Sequence, residues 1–206
     1  VLLSEELLRV PYEEALAVLV REGVDVIQVR EKRLPDRRFL ERARQARAAT
    51  RGTRTLLVVN DRVDLALLAE ADGVHLGQDD LPVAEARALL GPGRIVGVST
   101  HSAAQARAAA AAGADYLGVG PVFPTATKGY ATGLGTLLVR EVRAAVALPF
   151  VALGGITPEN AGAVLEAGAP GLAVSSAILA APDLAAAVRR FRELVDEKGV
   201  RPLRGT

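Results

Sequence analysis

The stretch LLVVNDRVDLALLAEADGVHLGQDDL, residues 56 to 81, holds two short apolar runs, Leu56–Val59 and Gly73–Leu76. Each run ends abruptly in polar residues: Asn60-Asp61 after the first, Gln78-Asp79-Asp80 after the second. Short apolar runs bounded by turn signals read as buried strands, and RVDLALLAEA between them has the pattern of a helix. Strands joined through a helix run parallel, so their carboxyl ends lie at one edge of the sheet. Asp61 and Asp80 are then expected to face one another across that edge.

The same alternation runs through the chain. Strands are expected near 1–4, 24–29, 54–59, 73–76, 94–98, 115–119, 149–153 and 170–174. Helices are expected near 11–22, 35–50, 61–69, 82–90, 102–112, 134–146, 158–167 and 183–196. Pro35-Asp36, Thr157-Pro158 and Pro182-Asp183 are helix starts. Gly23, Gly113 and Gly168 stand where helix C-caps belong. EGVDVIQ, EADGVHL, AGADYLGV and AGAPGLAV are near repeats of one helix-to-strand joint. Eight such units predict an α/β fold, a (β/α)₈ TIM barrel formed as one domain over residues 1–206, in preference to a doubly wound open sheet.

Composition narrows the function. Lys and Arg number 25 against 24 Asp and Glu, a net charge of +1, and aromatics are only 3% of the chain. Neither a basic surface nor stacking platforms point to nucleic acid. No apolar run nears the roughly 20 residues that span a bilayer, and no leader opens the sequence, so a cytoplasmic location without membrane attachment is expected. VLLSEELL reads as a strand entered part-way, short of a few initial residues. Cys and Met are both absent, which excludes a cysteine nucleophile and thiolate metal sites. The oligomeric state stays open, a homo-oligomer included.

Barrel chemistry lies at the carboxyl ends of the strands. After the second strand, Gln28, Arg30 and Lys32 alternate with Val29 and Glu31, so period-two geometry puts the amide and both cations on one side. That set suits a polyanion; the alternative is a solvated loop paired with Glu31. Asp61 and Asp80 are hard oxygen donors of the kind Mg²⁺ takes alongside water and phosphate oxygens; the alternative is that they cap helices, and Asp79 is the expected bystander. The fifth strand ends in Ser99, Thr100 and His101. In the long loop Gly120–Gly135, Thr125, Thr127 and Lys128 could hold an anion and close over it. Gly154-Gly155 and Ser175-Ser176 end the last two strands, where barrels recurrently bind phosphate. His75, within a strand, reads as a packed or hydrogen-bonded barrel residue; His101 reads as a general base or a positioning group. No Ser-His-Asp arrangement follows from these spacings.

The segments QVREK, NDRVDLAL, ADGVHLGQDDLP, VGVSTHS, GADYLGVGPVFPTATK, VALGGI and GLAVSSAI, in this order, resemble the signature segments of the thiamine phosphate synthase family. The resemblance implies a TIM-barrel, Mg²⁺-dependent transferase. Its expected reaction joins a hydroxymethylpyrimidine diphosphate to a hydroxyethylthiazole phosphate and releases pyrophosphate. It implies that Gln28, Val29, Arg30, Glu31, Lys32 and Asn60 hold the pyrimidine diphosphate, and that Asp61 and Asp80 bind the metal. It further implies that Ser99 contacts the pyrimidine and that Thr125, Ala126 and Thr127 bind the thiazole phosphate. Lys128 is expected to reach the diphosphate, and Gly155, Ser175 and Ser176 to cradle the thiazole phosphate. Lys128, Arg30, Lys32 and Ser99 are the expected catalytic set. The sister family of thiazole tautomerases shares the pattern but uses a histidine where Pro121 stands here. A non-catalytic phosphate-binding barrel is the third reading. VLLSEELL lacks the tyrosine and the threonine-aspartate ending of the family's first strand, and GYATGLG after Lys128 is less charged than its usual continuation.

Overall fold

Eight strands form one parallel sheet, each hydrogen-bonded to the next in chain order. They are β1 (Leu2–Leu3), β2 (Val26–Val29), β3 (Leu56–Asn60), β4 (Gly73–Leu76), β5 (Ile95–Thr100), β6 (Tyr116–Val119), β7 (Phe150–Leu153) and β8 (Leu172–Ala173). The computed structural model describes residues 1–125 and 132–198. The ring closes where the Leu2 N–H donates to the Val174 carbonyl at 2.9 Å and the Ser175 hydroxyl donates to the Leu2 carbonyl at 2.9 Å. Among the described residues no helix is long and apolar enough to cross a membrane.

The helices are α1 (Tyr12–Arg21), α2 (Asp36–Thr50), α3 (Val63–Leu68), α4 (Val83–Leu90), α5 (Ala103–Ala111), α6 (Gly135–Ala145), α7 (Pro158–Glu166), α8 (Ser176–Leu179) and α9 (Leu184–Glu197). Alternation along the strands explains the layering. In β3, Leu57 and Val59 are fully buried in the core between sheet and helices, which leaves Val58 and Asn60 for the barrel interior. Burying such aliphatic side chains stabilises the fold by about 1.5–3 kcal/mol each.

Two details depart from the expected elements. The helix expected from residue 61 begins at Val63, because Asp61 takes a left-handed backbone with φ of 62°. Asp61 is therefore not that helix's N-cap; Arg62 holds the position, and its side chain makes no cap hydrogen bond. The short α8 was not anticipated, since four residues are too few to show a period.

The repeated joint has a physical role at the amino ends of the strands. Asp72, just before β4, accepts the Leu57 N–H at 2.7 Å and pairs with Arg47 of α2 at 3.1 Å. Asp115, just before β6, accepts the Val96 N–H at 2.7 Å and pairs with Arg87 of α4. Each carboxylate fastens the preceding strand and an outer helix to its own strand. Asp72→Ala should leave the Leu57 N–H unpaired and lower unfolding free energy by about 1–3 kcal/mol. Denaturant titration would show it, and kcat at a temperature where the variant is folded should be unchanged. A large kcat loss would mean that this end of the barrel reaches the chemistry.

Candidate active site

The strand ends converge as the spacing predicts, but side by side they divide into distinct tasks. Along β2 and its extension, Gln28 is buried, Val29 lies fully buried in the outer core, and Arg30 is half-buried. Glu31 is buried and accepts the Glu5 N–H at 2.7 Å. Its carboxyl is held above the usual carboxylate range, chiefly by burial, with that N–H acting against the shift. Glu31 thus braces the β1–α1 connection, and Val29 packs outward; either could offer a ligand only backbone atoms. The expectation of a solvated loop tied to Glu31 fails for the same reason.

Lys32 reaches Asp61, with Nζ 3.0 Å from Oδ2. The Asp61 carboxyl also lies within hydrogen-bonding reach of Asp80, so two acids separated in sequence by α3 and β4 meet as expected. Burial first, and then the contact with Asp80, hold the Asp61 carboxyl above its ordinary range, while Lys32 pulls it down. The left-handed Asp61 backbone is pinned by its N–H, which donates to the His75 carbonyl at 2.8 Å. Asp80 is fixed by the Gly77 N–H, 2.6 Å from Oδ2. Asp79 is exposed. Asn60 is buried at the end of β3. A like-charged pair only partly answered by one ammonium is a donor set that favours a hard cation. Among the described residues no group of three or more His, Cys, Asp or Glu could hold a metal. The pair would leave most positions around an ion to other oxygens.

A cavity of about 250 Å³ is lined among others by Arg30, Thr125, Gly154, Gly155, Ser175 and Ser176. Gly154 and Gly155 have φ of 101° and 60°, backbone that glycine adopts without cost. A Cβ at Gly154 would lie 2.6 Å from Pro121 and one at Gly155 2.4 Å from the Pro124 carbonyl. Glycine therefore lets the β6–α6 connection lie flat on the end of β7, where the Val122 and Phe123 N–H groups bond the Leu153 and Gly154 carbonyls at 2.9 and 3.0 Å. Asn160 braces the opposite wall, donating to the Gly155 carbonyl at 2.9 Å and accepting the Thr157 N–H at 2.8 Å. The Ser175 hydroxyl is committed to Leu2, so Ser176 and the leading N–H groups of α8 are the polar groups left at that corner.

Arg30 connects the two regions. Its guanidinium lines the cavity and feels the Asp61 charge, yet Nε is buried without a hydrogen-bond partner. Burial presses its pKa below the usual value, opposed by the neighbouring acids. A half-buried cation with an unanswered donor, between an acid pair and a cup of small residues, has the chemistry to receive an anion. Ala126, Thr127 and Lys128 lie outside the described residues.

At His101, Nδ1 bonds the Gly120 carbonyl and so carries the proton there, while the backbone N–H donates to Gln105 at 2.7 Å. His75 is buried and hydrogen-bonded in the barrel interior, with Nδ1 2.8 Å from the Tyr116 hydroxyl and Nε2 2.9 Å from Ser99 Oγ. Tyr116 was not singled out from the sequence. The available signal was Gly97 and Gly118 inside strands, since glycine there marks a close approach.

Comparison with known proteins extends the geometry. The family model described as thiamine monophosphate synthase matches residues 4–178. A thiamine-phosphate synthase of Moorella thermoacetica is 51% identical over 174 residues, covering 84% of this chain and 83% of that protein. One from Chloroflexus aurantiacus is 50% identical over 174 residues, covering 84% and 80%. A solved thiamine phosphate pyrophosphorylase from Pyrococcus furiosus superposes with a TM-score of 0.87 at 38% identity, over 96% of this chain and 95% of that one. A 3-hexulose-6-phosphate synthase, at 21% identity and a TM-score of 0.65, shares the fold alone.

Proposed function

We infer the reaction from one premise: the chain belongs to the thiamine monophosphate synthase family, matched over most of its length by the family model and by relatives near 50% identity. It is a transferase that joins hydroxymethylpyrimidine diphosphate to hydroxyethylthiazole phosphate, giving thiamine phosphate and pyrophosphate. The observation that carries this reading is Arg30, a half-buried cation with a buried, unpartnered Nε set between an acid pair and a glycine-lined cup. One site that must hold two phosphorylated substrates needs such a shared cation.

Gln28, Arg30, Lys32 and Asn60 receive the pyrimidine diphosphate, with Val29 and Glu31 contributing backbone. Thr125, Ala126 and Thr127, with Gly155, Ser176 and the backbone of Ser175, receive the thiazole phosphate, and Ser99 meets the pyrimidine ring. Lys128 meets the diphosphate. Asp61 and Asp80 would hold Mg²⁺, which would neutralise charge on the departing diphosphate. Bond breaking comes first: the C–O bond to the diphosphate cleaves, both electrons leave with pyrophosphate, and the thiazole nitrogen lone pair then closes on the methylene carbon. The side chains stabilise charge on the leaving group and hold the second ring in line, so no nucleophilic residue is required.

The test is incubation of the protein with both substrates and Mg²⁺, following thiamine phosphate and pyrophosphate in equal amounts. Formation of neither product would reject the reading. The division of the site has its own test in Gly155→Ala. The added methyl would press on the Pro124 carbonyl at a backbone angle that costs an L-residue about 1–2 kcal/mol. KM for the thiazole phosphate should rise several-fold, and KM for the pyrimidine diphosphate much less. An equal rise in both would place the cup on the wrong substrate.

A further inference from the structure

Three side chains on three successive strands form one hydrogen-bonded line inside the barrel. Tyr116 of β6 contacts His75 of β4 across Gly97 of β5, and the registers His75↔Gly97 and Gly97↔Tyr116 place all three in one layer. The Tyr116 ring lies over Gly97 so closely that a Cβ there would sit 2.2 Å from it. Ser99 stands one layer nearer the carboxyl edge, beside Gly118, where a Cβ would press on the His75 ring at 3.0 Å. Both glycines hollow out the space this line needs. The far end lies toward Gln28, buried on β2.

The line has a direction. Burial holds the Tyr116 phenol protonated, so its single O–H is available as a donor. The Tyr116 proton is then free to point at His75 Nδ1, 2.8 Å away. A neutral imidazole has one donor and one acceptor nitrogen. With Nδ1 accepting, Nε2 carries the proton and donates to Ser99 Oγ at 2.9 Å. Ser99 Oγ, having accepted, keeps its own O–H to donate. Its backbone is steadied in turn by Gln78, whose Nε2 donates to the Ser99 carbonyl at 2.6 Å.

We propose that His75 and Tyr116 are positioning residues that fix the Ser99 hydroxyl as a hydrogen-bond donor toward an acceptor nitrogen of the pyrimidine ring. The inference rests on the reading that Ser99 meets the pyrimidine substrate. It adds a reason for selectivity, because a hydroxyl of fixed direction discriminates an acceptor nitrogen from a C–H or N–H at the same place, whereas a freely rotating one accepts either.

Two measurements test it. The chain has two histidines, so ¹⁵N-histidine labelling of the free protein gives two ring systems, told apart by His75→Gln. His75 should show a protonated Nε2 and a bare Nδ1 at neutral pH, and Tyr116→Phe should blur that preference. In steady-state kinetics, Tyr116→Phe should raise KM for the pyrimidine diphosphate about fivefold to tenfold, the size of one well-placed hydrogen bond. KM for the thiazole phosphate should stay near the parent value. The rise should vanish when Tyr116→Phe is made in a Ser99→Ala background, which a structural role would not do. His75→Gln, which keeps an N–H donor, should recover part of what His75→Leu loses. An Nδ1–H or doubly protonated His75 would overturn the proposal, as would a Tyr116→Phe penalty of equal size with and without the Ser99 hydroxyl. Absence of thiamine phosphate from the unmodified protein would overturn the underlying reading as well, and the tautomer measurement, made without substrate, separates the two failures.

Discussion

Asp61→Asn should reduce turnover by at least about 10²-fold, the scale of removing one preorganised electrostatic group from an active site, and should not weaken the fold. Asp80→Asn and chelation of Mg²⁺ by EDTA should do the same to activity. The stability half follows from the sign of the pKa displacement. Burial and Asp80 raise the folded Asp61 value above the unfolded one. The native state therefore binds this proton more tightly, and the group's contribution to stability falls as pH rises from the unfolded pKa through the raised one. At neutral pH the ionised pair is a burden on the metal-free fold, lightened by Lys32. Asparagine removes the charge and also tolerates a φ of 62° well. In EDTA at pH 7 the Tm of Asp61→Asn should equal or exceed the parent's, and the difference should close below about pH 3, where aspartate is protonated in both states. A clear drop in Tm at pH 7 would make the acid pair structural, and full activity in EDTA would end the metal role.

Removing Arg30 should be as damaging in a different way. Arg30→Ala takes a half-buried guanidinium from between the acid pair and the cup, so affinity for both substrates should fall together. We expect kcat/KM to drop by about 10²- to 10³-fold for each, in line with losing a charge that acts on developing anions. Arg30→Lys should recover little, because an ammonium cannot present two parallel N–H donors to a phosphate. Without ligand the alanine variant should be at least as stable as the parent, since it no longer buries an unpaired donor. An effect confined to one substrate would place Arg30 inside a single subsite.

The fold was legible because a parallel barrel repeats one simple instruction. Apolar runs such as Leu56–Val59 and Gly73–Leu76 are short, bounded by turns and spaced by helical patterns, so strand number and order follow from counting. The acid pair was legible for the same reason, since parallel strands bring residues past their ends to one edge. What period cannot reach is contact across the barrel. His75, Ser99 and Tyr116 meet at sequence separations of 24 and 41, and alternation says only which side each one faces. The outward turn of Glu31 toward Glu5 depends on a loop bond between distant elements, and the left-handed Asp61 on a carbonyl from the next strand. The expectation for Ser175 omitted its bond to Leu2, which exists only because the first and last strands come together.

Asp72 with Arg47 and Asp115 with Arg87 form matching fasteners at the end of the barrel away from the acid pair and the cup. Each ties a strand to its successor through a side chain rather than through the loop that joins them. A block of two strand–helix units consequently carries its own rivets when moved as a piece. Exchange of such blocks between homologous barrels, cut in the loops outside each fastener, should preserve register even where the helices differ. Variation at the catalytic rim can then be sampled by recombination on a chassis that stays assembled, so heat tolerance and chemistry are free to diverge along opposite ends of the same strands.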